Sequence, residues 1–204
     1  HVHHRQRQGA VGAGPDDQHV VRLGGRLGAA HVDGHEVRAA TLDSRPALRA
    51  VAVPRLVELG TQDDVAVALA MLDDPSADVQ VATIEALGRL RVEAAREVLV
   101  SRARMSEDPR VRAAALGAVA HLGGEGAIDA IVLGLASPVA SIKIAAARGL
   151  AQVGDPSAAP LLISLLGQGR GSDLYEAARQ GLEALGEAAT PDLLRAVNTP
   201  GHRA

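Results

Sequence analysis

The sequence contains no cysteine, phenylalanine or tryptophan, and its 204 residues include a single tyrosine, Tyr175, and a single lysine, Lys143. Without cysteine, the chain cannot form disulfides, zinc–thiolate sites or iron–sulfur clusters, and it has no thiol nucleophile. Without large aromatic residues, its core has to be built from leucine, valine, isoleucine and alanine. Such a composition favours helices that pack close together.

The sequence also has no large excess of charge of either sign and no long hydrophobic run. The formal net charge is −3, which gives no overall basic field for binding nucleic acid. No apolar run approaches the roughly 20 residues of a membrane span, and residues 65–72 (VAVALAML), among the longest, are bracketed by aspartates. The low net charge and the short apolar runs lead us to expect that the protein binds neither nucleic acid nor membrane. The absence of cysteine suits a reducing compartment, and we expect a cytoplasmic protein of bacterial origin.

A repeated segment dominates the chain. Five segments align without gaps, and their starts lie 31, 32, 31 and 32 residues apart: 48–59, 79–90, 111–122, 142–153 and 174–185. Each has aliphatic residues at its first, ninth and twelfth positions and a small residue at its fifth, which is helical spacing on one face. This period predicts a solenoid of about five repeats.

Each segment is followed by a turn and then by a second apolar helix. Glycine occupies the turn in four copies, as is usual where a helix ends in the left-handed conformation; Arg91 replaces it in the second copy, so we expect that turn to be built differently. The second helices are predicted at 62–72, 92–103, 125–135, 155–166 and 190–197. We call the first helix of each repeat the A helix and the second the B helix.

The motif DPRVRAAALGAVAHLGG (residues 108–124) closely resembles the short HEAT-like repeat of the phycobilisome-lyase type, and GDPSAAPLLISLL (154–166) resembles its second half. The resemblance covers about residues 46–197. It implies an all-α solenoid of stacked antiparallel helix pairs, HEAT/armadillo-like, with the B helices lining the concave face. It also implies that Arg112 pairs with Asp108 in the preceding link, with Arg49 and Lys143 at the equivalent repeat position.

Residues 1–45 do not fit the repeat as cleanly. We predict a degenerate N-terminal cap or a poorly ordered segment there, and the repeat solenoid over 46–204. RLGGRLG (22–28) could be the end of a worn A helix, and HEVRAATL (35–42) a short B helix. Because the chain has no initiator methionine and a short last repeat, it could be a segment of a larger protein.

Catalytic chemistry has little support in the sequence. Deoxyhypusine hydroxylases resemble this chain in fold and hold two iron ions through a His-Glu pair on each of four helices, whereas this chain has one such pair, His35-Glu36. The histidines near the N-terminus (His1, His3 and His4) could chelate a metal, and His121 is a lone histidine on an apolar helix. We expect no metal and no cofactor.

We therefore predict a non-catalytic protein-interaction scaffold or regulatory subunit that binds a protein partner along the B-helix face. The alternative is an enzyme of the same fold, either a bilin (phycobiliprotein) lyase or a metal-dependent oxidoreductase or hydroxylase. The predicted partner-binding residues are the polar positions of the B helices: Asp63, Asp64, Arg96, Arg102, Arg104, Asp129, Asp192 and Arg195.

Overall fold

The structure, a computed structural model, describes residues 22, 25–26, 33–124, 126–167, 169 and 171–198. The described residues between 33 and 198 form eleven α-helices and no strand: α1 (Gly34–Ala40), α2 (Pro46–Leu59), α3 (Gln62–Ala70), α4 (Ala77–Arg89), α5 (Arg96–Met105), α6 (Pro109–Leu122), α7 (Ala127–Leu135), α8 (Ala140–Val153), α9 (Ala159–Leu166), α10 (Asp173–Leu185) and α11 (Thr190–Asn198). Helices α2, α4, α6, α8 and α10 are the A helices, and α3, α5, α7, α9 and α11 are the B helices. The predicted α-solenoid of stacked helix pairs is confirmed. None of the described helices has the length and apolar character that crossing a membrane requires.

Side-chain caps start several helices. The Thr61 hydroxyl accepts a hydrogen bond from the Asp64 backbone N–H, and the Asp108 carboxylate accepts one from the N–H of Arg110. Such caps satisfy N–H groups that have no partner inside the helix. The second and fourth B helices begin with a 3-10 turn, Glu93–Ala95 and Pro156–Ala158, so their α-helical parts each start four residues later than predicted.

The core consists of the repeated small and aliphatic positions. All residues at the fifth repeat position are fully buried: Ala52, Thr83, Ala115, Ala146 and Ala178. In the first four repeats, the residues at the first and ninth positions are buried. In the last repeat, Leu182 at the ninth position is buried and Leu174 at the first position is half-buried. The twelfth position differs between repeats, since Leu59 and Leu90 are about 40% exposed whereas Leu185 is buried. In the first two repeats, the C-terminal end of the apolar face of the A helix therefore lies at the rim of the core.

Successive A helices pack closely through one pair of small positions. The tenth residue of one A segment meets the eighth residue of the next, which pairs Gly88 with Ala118, Ala120 with Gly149 and Ala151 with Gly181. A Cβ atom built on Gly88 would lie only 2.5 Å from the Ala118 Cα. The A helices contact one another more extensively than the B helices do. Small residues therefore set the spacing of the A layer.

The turn at Arg91 corrects our expectation. Arg91 has a φ of 52°, in the same left-handed region as Gly60 and Gly154. Its N–H donates to the Gly88 carbonyl, and the N–H of Val92 donates to the Leu87 carbonyl at 2.9 Å. These two bonds form a Schellman motif, the usual glycine-ended helix terminus. Arg91 therefore shares the positive φ of the glycine turns, although it carries a Cβ atom.

Helix α1 extends the stack before the first complete repeat. It begins one residue before and ends two residues before the predicted B-helix range 35–42, and it packs against α2, with Val37 and Ala40 buried in the common core. Much of the RLGGRLG stretch, together with His1, His3 and His4, lies outside the described residues. The division of the chain at residue 45 stays a prediction.

Candidate binding site

The predicted B-helix residue Asp64 lies inside the protein. Its side chain is 1% exposed and receives two hydrogen bonds from Arg38 of α1, at 2.7 and 2.9 Å. The Thr61 hydroxyl also donates to it. The Arg38 guanidinium is the main reason that the pKa of Asp64 is lowered. Asp64 therefore joins α1 to α3 and does not belong to an exposed surface, whereas its neighbour Asp63 is exposed.

Most other predicted B-helix residues are engaged in ion pairs. Arg102 pairs with Asp73 of the preceding repeat, Arg104 lies 3.9 Å from Asp129 of the following repeat, and Arg195 pairs with Asp192 at 2.7 Å. Arg96 pairs with Glu93, and it also donates to the Gly123 carbonyl. The structure thus places these residues along the B helices, where each lies beside an oppositely charged side chain.

The ion pairs of the links differ from those that the resemblance implies. Arg112 donates to the Ala103 carbonyl at 3.1 Å, while Asp108 caps α6 and contacts Arg110. The expected Arg112–Asp108 pair is therefore wrong, because the Asp108 oxygens are already used at the helix start. Arg49, at the equivalent repeat position, instead forms two 2.8 Å bonds to Asp74 in the link that follows.

A groove of about 520 Å³ lies on the outer face of the A helices and is lined by three neighbouring helices, α4, α6 and α8. Its floor comes from α6 and contains short side chains or none: Ala113, Ala114, Gly117 and Ala118. A Cβ atom built on Gly117 would meet no atom within 4 Å. The walls come from α4 and α8 and include longer side chains: Val81, Glu85, Arg89, Arg148 and Gln152.

Three charges on the groove walls have no internal partner. In the described part of the chain, Glu85 and Arg89 on α4 and Arg148 on α8 form no ion pair and no side-chain hydrogen bond, and all three are exposed. Other polar residues of the groove are engaged: Arg110 pairs with Asp78 and Asp108, and His121 contacts Gln152. The groove therefore has unpaired charges on its walls above short apolar side chains on its floor.

The sequence carries a signal for this groove on the face of the A helices opposite the core. Residues at the seventh and eleventh repeat positions lie on that face, and in the second to fourth repeats these are Glu85, Arg89, Gly117, His121, Arg148 and Gln152. The sequence-based prediction relied on the buried stripe and considered His121 alone. The floor becomes recognisable only when neighbouring repeats are compared position by position.

Metal chemistry has no assembled site in the described residues. They contain no group of three or more His, Asp or Glu side chains that could hold a metal ion. The His35-Glu36 pair lies at the start of α1, where Asp33 accepts a hydrogen bond from the His35 N–H and Glu36 pairs with Arg26 at 2.8 Å.

Solved structures share this arrangement of helices. Phycocyanin lyase from Nostoc sp. PCC7120, solved as the complex of CpcE and CpcF, is 22% identical with a TM-score of 0.54, covering 91% of this chain and 82% of that one. An engineered protein is 19% identical with a TM-score of 0.54, covering 84% and 91%. Human deoxyhypusine hydroxylase in complex with glycerol is 15% identical, covering 90% and 91%, but its TM-score of 0.40 is too low to support an argument.

Sequence comparison identifies the family. No curated protein matches the sequence significantly. The family profile described as HEAT repeats matches residues 36–120, 65–141 and 97–183, which together span most of the chain and overlap as a repeated unit should. These matches agree with the helix pairs, their period and their stacking, and the chain belongs to the HEAT-repeat family.

Proposed function

We propose that this chain is a non-catalytic protein-interaction scaffold or regulatory subunit, and that its partner binds in the groove over α4, α6 and α8. The observation that carries the proposal is the contrast between the arginines of the groove walls and those of the B helices. Among the described residues, Glu85, Arg89 and Arg148 are unpaired on the groove walls. Arg102 and Arg104 of the B layer are instead engaged with acidic residues of adjacent repeats.

A protein partner suits the form of the groove. It crosses three repeats, and a surface assembled from stacked repeats is extended in the way that macromolecular recognition needs. Its polar groups are spread along open walls and do not converge on one point. Catalysis requires side chains within hydrogen-bond reach of one reacting group, and the described residues of the groove walls carry no such cluster. This placement favours binding over turnover.

Affinity capture with the full chain tests the proposal. The groove bait carries Arg89→Glu with Arg148→Glu, and the matched B-layer bait carries Arg102→Glu with Asp129→Arg. Circular dichroism at 222 nm verifies that both remain helical. We expect one protein from the source lysate to be retained by the parent and the B-layer bait and to be lost at least tenfold from the groove bait.

Two results would contradict the proposal. Loss from the B-layer bait alone would place binding on the face predicted from the sequence. Iron or a tetrapyrrole pigment bound to the purified chain, together with turnover, would favour the enzymatic alternative instead.

A further inference from the structure

We infer that the occupant of the groove is an acidic amphipathic α-helix of the partner, seated on α6 between the walls of α4 and α8. This inference rests on the proposed function, because it names the chemistry of the partner at the same site. Three features of the groove support it: its charge, its floor and its width.

The charge of the groove is opposite to that of the chain. Arg89 and Arg148 lie on opposite walls without partners in the described residues, against the single free carboxylate of Glu85. The chain as a whole has a net charge of −3. A partner with carboxylates on both flanks can therefore pair with both walls, whereas a basic partner would meet two unpaired guanidinium groups and be repelled by them.

The floor of the groove favours a helix over an extended segment. Ala113 and Gly117 lie one helical turn apart on α6, so the middle of the floor is smooth and apolar, and Arg110 and His121 bound it one turn further along α6 at either end. The floor is itself a helix, whose backbone N–H and C=O groups are bonded internally, so it offers no edge to which an extended peptide could add as a strand. A helix satisfies its own backbone and needs from the floor only room for close packing.

The floor of the groove is one helix wide, because it comes from α6 alone. A helix packed on α6 has its axis about 8–10 Å outside the axis of α6. Arg89 on α4 and Arg148 on α8 then lie on its two sides.

Site-specific photo-crosslinking on the full chain tests this inference. A photoreactive residue at the groove wall, Glu85→p-benzoylphenylalanine, is compared with one on the exposed face of α7, Val132→p-benzoylphenylalanine. Each protein is irradiated in source lysate, and the crosslinked partner peptide is sequenced by mass spectrometry. We expect capture from position 85 of a peptide with acidic residues spaced three or four apart, and helical circular dichroism from its synthetic version.

Charge variants in the same background make the result specific. Arg89→Glu with Arg148→Glu should reduce the yield at position 85 about tenfold, whereas Arg89→Lys with Arg148→Lys, which preserves the charge, should keep at least half of it. Raising the salt concentration should lower the parent yield, because exposed ion pairs are screened.

The outcomes separate this inference from the proposed function. A captured peptide that is not acidic, or a yield unaffected by charge reversal, overturns the acidic helix and leaves the scaffold standing. Capture from position 132 alone moves binding to the B layer and overturns the groove as the site. Capture from neither position contradicts both the scaffold and the acidic helix.

Discussion

Arg91 occupies the position just past the end of α4, where the other repeats have glycine, with a φ of 52°. A left-handed conformation costs a residue with a Cβ about 1–2 kcal/mol, whereas glycine loses roughly 0.5–1 kcal/mol more conformational entropy on folding. We therefore expect Arg91→Gly to increase the free energy of unfolding by about 0.5–1 kcal/mol. Urea denaturation followed by circular dichroism at 222 nm measures this change.

The matched control for this position is Arg91→Ala. Alanine removes the same charge as glycine but keeps the Cβ atom, so it retains the backbone strain. We expect Arg91→Ala to give no stabilisation. Equal stabilisation by both variants would mean that the charge of Arg91, and not its backbone conformation, determines the difference.

At the scale of the elements, two glycines of neighbouring A helices differ in what surrounds them. Gly88 of α4 faces the Ala118 backbone, whereas Gly117 of α6 faces open space. Alanine is better than glycine in a helix by about 1 kcal/mol, but overpacking a tight contact costs about 1–3 kcal/mol. We expect Gly88→Ala to lower the free energy of unfolding by about 1–2 kcal/mol and Gly117→Ala to raise it by about 0.5–1 kcal/mol.

Chemical denaturation of the two variants in parallel checks both signs, and each serves as the control for the other. If both variants were stabilised, the A helices would lie farther apart than the structure places them. If both were destabilised, Gly117 would be in contact with other parts of the chain.

The helices themselves were predictable because each repeat carries its own local information. The spacing of aliphatic and small residues defined the A helices and the buried fifth position, of which Ala52 and Ala115 are examples. The 3-10 starts of two B helices were missed because acidic residues such as Glu93 and Asp155 suit the first turn of either helix type. The turn at Arg91 was predicted wrongly because we assumed that a residue other than glycine would not adopt a positive φ at this position.

At the scale of the whole molecule, the candidate site could not be predicted from single repeats. The groove has its floor on α6 and its walls on α4 and α8, so it exists only once three repeats are stacked. Likewise, the sequence alone does not distinguish Arg102 from Arg148, because both are arginines on predicted helices. Only the stacked structure shows that Arg102 pairs with Asp73 of the preceding repeat and that Arg148 has no such pair within the described residues.

Carboxylates with lowered pKa values lie in two successive links between repeats and in the turn inside the fourth repeat, so the stability of the whole stack should depend on pH. The Arg49 guanidinium is the main cause of the lowered pKa of Asp74. Backbone N–H groups are the main cause of the lowered pKa for the helix-capping Asp108 and for Asp155, which receives one from Ser157. A carboxyl whose pKa is lower in the folded state than in the unfolded chain stabilises the fold above the unfolded pKa, near 4, and this contribution is lost as pH falls through the folded pKa.

We therefore expect the urea midpoint to be nearly constant between pH 7 and 5 and to fall as the pH drops below about 4. The Arg49–Asp74 pair is mostly buried, and a hydrogen bond to a charged group contributes about 1.5–3 kcal/mol. Asp74→Asn should therefore be less stable than the parent at pH 7 but should lose less stability at pH 3. As a matched control, Asp129→Asn alters a carboxylate that is 83% exposed and as far as 3.9 Å from its partner, so it should leave the urea midpoint at pH 7 unchanged. A parent whose midpoint did not fall in acid, or an Asp74→Asn variant with the same dependence as the parent, would contradict the stabilising role assigned to these carboxylates.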